Sequence, residues 1–212
     1  MCLKDGDTLV FNIKGNKKED APYTERGKVI MCQKLNELSG LTPAKILEHY
    51  ASEKPIYAVS MIDLINNLKI PVYEYDFSLS NPDMKEFYEK SEFKDNIIGA
   101  IMLSEDDLYI FISDKSSEAE QRYILAHEIG HCCLHASTLR EQKIEFAKDK
   151  DSDNTHEQEA NNFAMELLMP EENIRLVYGK LINKSLNVMA ELFCVPIECM
   201  RNRLNKLQLE YE

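Results

Sequence analysis

No stretch of this 212-residue sequence is apolar for long enough to cross a bilayer. The longest apolar run, Ile97 to Leu103, falls far short of the roughly 20 residues that a helical span needs. The first residues, Met1-Cys2-Leu3-Lys4-Asp5-Gly6-Asp7, lack the apolar segment of an export signal. Both absences set the expectation of a cytoplasmic protein with no membrane partner. Positive charge is also short: 25 Lys and Arg stand against 37 Asp and Glu, a formal net charge of −12. Neutralising duplex phosphates takes clustered cations, so a broad nucleic-acid surface is not expected. The cysteines, at positions 2, 32, 132, 133, 194 and 199, include no CxxC pair and no regular framework. That argues for reduced thiols and against a disulfide scaffold. Neither a repeat of fixed period nor a low-complexity segment interrupts the chain.

What is present is an ordinary globular composition, 44% hydrophobic and 29% charged, sized for one catalytic domain with a small appendage. Residues 1 to about 25 are polar and irregular. From Lys28 to Tyr50 the apolar positions fit two short helices around Ser39-Gly40, and Ser60 to Leu68 reads as an amphipathic helix. The β-branched and aromatic run Val72 to Phe77 predicts a strand, and Ile97–Leu103 with Leu108–Ile112 predicts a hairpin across an acidic turn. Ser117 with Glu120 three residues later is a capping-box start for a helix over about 118 to 136. Ser137 to His156, dense in charge, predicts a surface loop with at most a short helix. Ala160, Phe163, Ala164, Leu167 and Leu168 mark a buried helix face ended by Pro170, and helices over about 171–181, 186–193 and from Pro196 follow. The fold class is α+β, with a small, mainly antiparallel sheet packed on the capped helix. The organisation expected is an N-terminal extension over 1–50, a catalytic domain over 51–172 and a C-terminal helical region over 173–212. No self-association surface is evident, so a monomer is expected.

That capped helix carries His127-Glu128-Ile129-Gly130-His131. Residues four apart share a helix face, so two imidazoles can reach one ion, while Glu128 can reach a water beside it without being a ligand. A catalytic zinc takes three protein ligands and keeps a position for water. His135 is not the third, because it stands about 12 Å from His127 along a straight helix, and a longer motif fails where Leu134 replaces Gly and Ser137 replaces His. The candidates lie in Glu157-Gln158-Glu159-Ala160-Asn161-Asn162-Phe163-Ala164. Glu159 is favoured because it aligns with Phe163 and Leu167. Glu157, which aligns with Asn161 and Ala164, is the competitor, and His156 is a weaker choice. Glu128 would act as general base on zinc-activated water, with Tyr178 or His135 as candidate oxyanion donors and Leu108–Ile112 as an edge for an extended substrate.

These stretches, together with Pro55-Ile56 through Val72, Ile98-Gly99-Ala100-Ile101, Arg122 to His131 with Leu134-His135, and Leu167-Leu168-Met169-Pro170, resemble the ImmA/IrrE family of metallopeptidases over residues 55 to 170. The resemblance implies a zincin-like fold and a zinc endopeptidase that cleaves helix-turn-helix repressors to release silenced genes of mobile elements, phages or stress responses. Carried over residue by residue, it implies His127, His131 and Glu159 as zinc ligands and Glu128 as the base. A rival reading comes from Leu186 to Leu204, which has the outline of a helix-turn-helix, with Cys194 at the turn and Arg201, Arg203 and Lys206 on its second helix. A DNA-binding regulator with a sensory or structural zinc is one alternative, and a catalytically silent binding protein is another.

Overall fold

The hairpin and the capped helix set the frame. In the computed structural model, which describes residues 33–51, 57–78, 97–104, 107–142, 144–148 and 155–212, β2 (Ile97–Ser104) and β3 (Asp107–Ser113) pair antiparallel with Ile101 opposite Ile110. Strand β1 (Val72–Tyr75) lies parallel to β3. On the other side of β2 runs antiparallel β4 (Ile144–Lys148), which gives the order β1-β3-β2-β4. Alternation along β3 sends Leu108, Ile110 and Ile112 into the main core and leaves Phe111 on the opposite face, where its ring stacks on Tyr73 and meets Tyr75 edge-on. Two sequence expectations change here. The charged stretch after residue 137 contains strand β4, preceded by a helix, α5 (Ala136–Gln142). And β3 is an inner strand with both sides paired, so Leu108–Ile112 has no free edge for a substrate.

Before the sheet come α1 (Gln33–Leu38), α2 (Pro43–Tyr50) and α3 (Met61–Leu68). Each of the last two starts at a hydroxyl cap, Thr42 or Ser60, that accepts from the third residue onward. Helix α4 (Glu118–Leu134) follows the hairpin and starts as its sequence dictates: Ser117 Oγ accepts from the Glu120 backbone, and the Glu120 carboxylate accepts from the Ser117 backbone at 2.7 Å. Polar residues are spread around this helix, yet nearly every residue from Gln121 to Cys133 is buried. It is enclosed rather than half-exposed, with β2 and β3 on one side and α6 (Thr155–Leu168) on the other. Gly130 permits that second contact, since a Cβ there would lie 3.2 Å from Phe163 Cβ and 3.3 Å from the Ala160 backbone.

One apolar cluster runs from Leu35, Leu38 and Ile46 through the sheet and α4 to Met200 and Leu204. The described segments from α1 through the C-terminal helices therefore share one core. Gly40 N–H donates to Cys133 O at 2.7 Å, which pins the α1–α2 turn, at positive φ, to the end of α4. The buried Arg122 guanidinium donates to Val59 O at 2.8 Å and to Cys194 O at 3.0 Å, tying α4 to the N-terminal helices and to the C-terminal pair.

After α7 (Glu171–Lys180), that pair consists of α8 (Leu186–Phe193) and α9 (Ile197–Lys206). Cys194 adopts the left-handed conformation at φ 52° that glycine usually takes there, and Val195 N–H closes on Ala190 O. The basic residues of α9 do not form an open cationic face. Arg203 is buried and donates to Met169 O, Arg201 pairs with Glu198, and Lys206 reaches Asn162 and Glu166. Among the described residues, no helix is long and apolar enough to cross a membrane.

Candidate metal centre

Helix α4 presents His127 and His131 one turn apart, and α6 brings a carboxylate to them. His127 Nε2 and His131 Nε2 lie 2.9 Å apart. Glu157 Oε2 is 3.4 Å from the first and Glu157 Oε1 is 3.4 Å from the second. Together these three are the described residues that could hold a metal ion. Ligand atoms at about 2.0–2.2 Å from a tetrahedral zinc lie about 3.3–3.5 Å from one another, so the two carboxylate separations match and the imidazole pair needs only a small opening. Two imidazole nitrogens and one carboxylate are also a donor set that catalytic zinc takes. The residues present fit the ion.

The carboxylate that lies in this cluster is Glu157, not the Glu159 favoured from the sequence. Glu157 is only 12% exposed, whereas Glu159 is 53% exposed and its Oε2 bonds His135 Nε2 at 2.9 Å. Helix phase explains the difference. The buried face of α6 is the stripe Ala160, Phe163, Ala164, Leu167, Leu168. At 3.6 residues per turn, Glu157 lies roughly 50° from its centre and Glu159 roughly 110°. Alignment with Phe163 and Leu167 alone follows one border of the stripe. His156, the weaker candidate, stacks its ring on His135 at 4.1 Å between centroids.

The outer nitrogens of both histidines are engaged. His127 Nδ1 lies 2.9 Å from Asn161 Oδ1, which also accepts from the Tyr123 hydroxyl at 2.9 Å. An oxygen can only accept, so this Nδ1 carries the proton and Nε2 keeps the lone pair toward the cluster. His131 Nδ1 lies 3.1 Å from His135 Nδ1. Burial, then the nearby His127, His135 and His156, holds the His131 imidazole down at about 2, so it is neutral, as a metal ligand must be. Burial likewise lowers the pKa of His135, against the opposing pull of its hydrogen bond to Glu159. Asn161, Tyr123 and His135 were not expected in these supporting roles. The available signal was that Asn161 stands one helical turn beyond Glu157.

Glu128 is fully buried beside His127. Its carboxylate faces β2 at Gly99, where a Cβ would come within 3.0 Å of Glu128 Oε1 and 2.4 Å of Ile124 Cγ2. The missing side chain at Gly99 is what makes room for that carboxylate between helix and sheet. Tyr178, considered as an oxyanion donor, is committed elsewhere: its hydroxyl donates to Glu210 O at 2.9 Å. Cys132 and Cys133, which follow the motif directly, are buried, and burial pushes the Cys133 thiol up to about 12.

The α+β fold, with its small sheet against the helix that bears the histidine–histidine–glutamate cluster, is consistent with a zincin-like domain. Residues 104–205 match the family model Peptidase_M78, described as the IrrE N-terminal-like domain. Over that segment the chain is similar to the IrrE N-terminal-like domain. It is also similar to a Bacillus phage phi105 protein named "Uncharacterized immunity region protein 2", with 36% identity over 78 residues. That alignment covers 35% of this chain and 46% of the phage protein, so the chain spans under half the length of this relative.

Proposed function

We propose that this protein is a zinc-dependent endopeptidase in which His127 Nε2, His131 Nε2 and the Glu157 carboxylate hold the ion and Glu128 is the general base. The observation that carries the reading is the convergence of three buried or nearly buried donors from α4 and α6 at zinc-like separations. Zinc at such a site supplies Lewis acidity, which lowers the pKa of water and polarises a peptide carbonyl. The chain's own groups supply the rest. Asn161 orients His127 through Nδ1, so that Nε2 faces the cluster, and two imidazole ligands with one carboxylate would leave the loaded site with a net positive charge. The Glu128 carboxylate takes the proton from the attacking water at one Oε and returns it to the departing amine nitrogen. Enclosure between α4 and β2 keeps bulk water from that carboxylate and strengthens its interactions. For an extended substrate, the outer side of β4 is, among the described residues, a backbone edge of the sheet next to β2, suited to pairing by strand addition.

The substrate class in this reading is a helix-turn-helix repressor, the target implied by the family resemblance. The phage relative's name places that protein in an immunity region, which agrees with a role in relieving repression. Coexpression with helix-turn-helix repressors of the source genome tests the reading. Repressor should be lost with the wild-type enzyme and persist with Glu128→Gln, which keeps the ligands and removes the base. Equal loss with both proteins would show that Glu128 is not the base.

A further inference from the structure

The two glutamates of Glu157-Gln158-Glu159 reach His131 from opposite sides. Glu157 Oε1 lies on the Nε2 side at 3.4 Å. Glu159 acts on the Nδ1 side through an intervening ring: Glu159 Oε2 is 2.9 Å from His135 Nε2, and His135 Nδ1 is 3.1 Å from His131 Nδ1. His135 is 4% exposed and lies against the His156 ring at 4.1 Å, with 17° between the planes, so its orientation is fixed by packing.

A contact between two imidazole nitrogens has two possible senses, and they have opposite consequences for a metal. If His135 Nδ1–H donates, the neutral His131 ring keeps its proton on Nε2, and no lone pair faces Glu157 and His127. If His131 Nδ1–H donates, Nε2 is open to an ion. The carboxylate of Glu159 decides between them, because an ionised carboxylate only accepts. It requires the proton of His135 on Nε2. His135 Nδ1 is then an acceptor, and the proton of the contact belongs to His131.

We propose that Glu159 and His135 are positioning residues that set, through this carboxylate–imidazole–imidazole chain, the tautomer in which His131 offers Nε2 to the metal. The proposal rests on the reading of His131 as a ligand. Metal-bound histidines generally donate their second N–H to an acceptor, and removing that acceptor weakens metal binding by about 10–100-fold. Here the acceptor is itself a histidine, held in its accepting form by Glu159. The arm that holds His127 needs no such relay, since Asn161 Oδ1 can only accept.

The test measures the zinc Kd of the full chain, prepared metal-free, by competition with a chelator. Glu159→Ala should weaken binding about tenfold, toward the low end of that range because water can reach the exposed site. Glu159→Gln, whose Oε1 still accepts, should stay within about threefold of wild type. In a His135→Asn background the amide Oδ1 can accept from His131 directly, so adding Glu159→Ala should change the affinity by less than about twofold. An undiminished Glu159→Ala effect in that background would mean that Glu159 acts through its charge or through α6, and would overturn the proposal. So would a Glu159→Ala affinity equal to wild type. A wild-type protein that takes up no zinc would instead overturn the metal reading beneath it.

Discussion

Replacing Gly99 by alanine tests how the Glu128 carboxylate, proposed as the general base, is accommodated. The added Cβ would stand 2.4 Å from Ile124 Cγ2, 3.0 Å from Glu128 Oε1 and 3.4 Å from Phe111 O. Carbon atoms settle about 3.5–4.0 Å apart, so α4 and β2 must separate locally by about 1 Å. Ile124 is 1% exposed and sits in the enclosed middle of α4, and in a close-packed interior such a side chain turns aside only at a cost. Overpacking of this kind costs about 1–3 kcal/mol. Alanine regains about 0.5–1 kcal/mol over glycine inside a strand through lower unfolded-state entropy. The balance is a loss of about 0–2.5 kcal/mol, centred near 1, or a fall in Tm of up to about 10 °C at about 2–4 °C per kcal/mol for a chain of this size. Differential scanning calorimetry of the metal-free protein reads this directly. Activity should fall further, by about 100-fold, because a displacement near 1 Å at a catalytic group costs that much. Zinc should be retained, since His127 and His131 move together with α4. Ile124→Ala removes the clashing methyl, so the double substitution should lose less stability than the two single losses summed, by about 1 kcal/mol. A Gly99→Ala protein as stable as wild type and fully active would refute the steric argument.

Two more outcomes follow from the packing around α4. Gly130→Ala places a Cβ 3.2–3.3 Å from Phe163 Cβ and the Ala160 backbone, which cannot swing aside, so α6 should move outward with Glu157. Zinc affinity should drop about tenfold or more, and an unchanged Kd in a chelator competition would count against the α4–α6 geometry. The Cys133 thiol, 2% exposed and raised by burial to about 12, should resist alkylation at pH 8 in the native protein and react only after unfolding. Peptide mapping after a short iodoacetamide pulse checks this, and rapid native labelling of Cys133 would contradict its burial.

Local signals made much of the fold legible. The Ser117–Glu120 capping box, the period of the α6 stripe and the paired runs around residues 97–112 each specify an element without tertiary help, and the structure has all three. Strand β4 was hidden because Ile144-Glu145-Phe146-Ala147-Lys148 is a short alternation inside a heavily charged stretch, where a loop is the ordinary reading. Its strand character comes from pairing with β2. At the site, the convergence of His127 and His131 follows from spacing alone. The position of Glu159 does not: the expected third ligand is turned toward His135, and Glu157 takes its place in the cluster. A full helical wheel in place of a single i, i+4 row would have favoured Glu157. The outer partners were not legible, because Tyr123–Asn161 and His135–Glu159 join residues 38 and 24 positions apart and arise only when α4 and α6 pack. The helix-turn-helix outline was legible down to the left-handed Cys194. Its basic residues were misleading, since their partners on Glu166, Met169 and Glu198 appear only in three dimensions.

The most direct test of the central claim is the metal content of Glu157→Ala against wild type after dialysis with a weak chelator. The account predicts about one zinc per chain in the wild-type protein, a Glu157→Ala protein that folds but loses the ion, and a Glu159→Ala protein that retains more zinc than Glu157→Ala. Full zinc retention by Glu157→Ala, with loss in Glu159→Ala, would contradict it and return the third ligand position to Glu159.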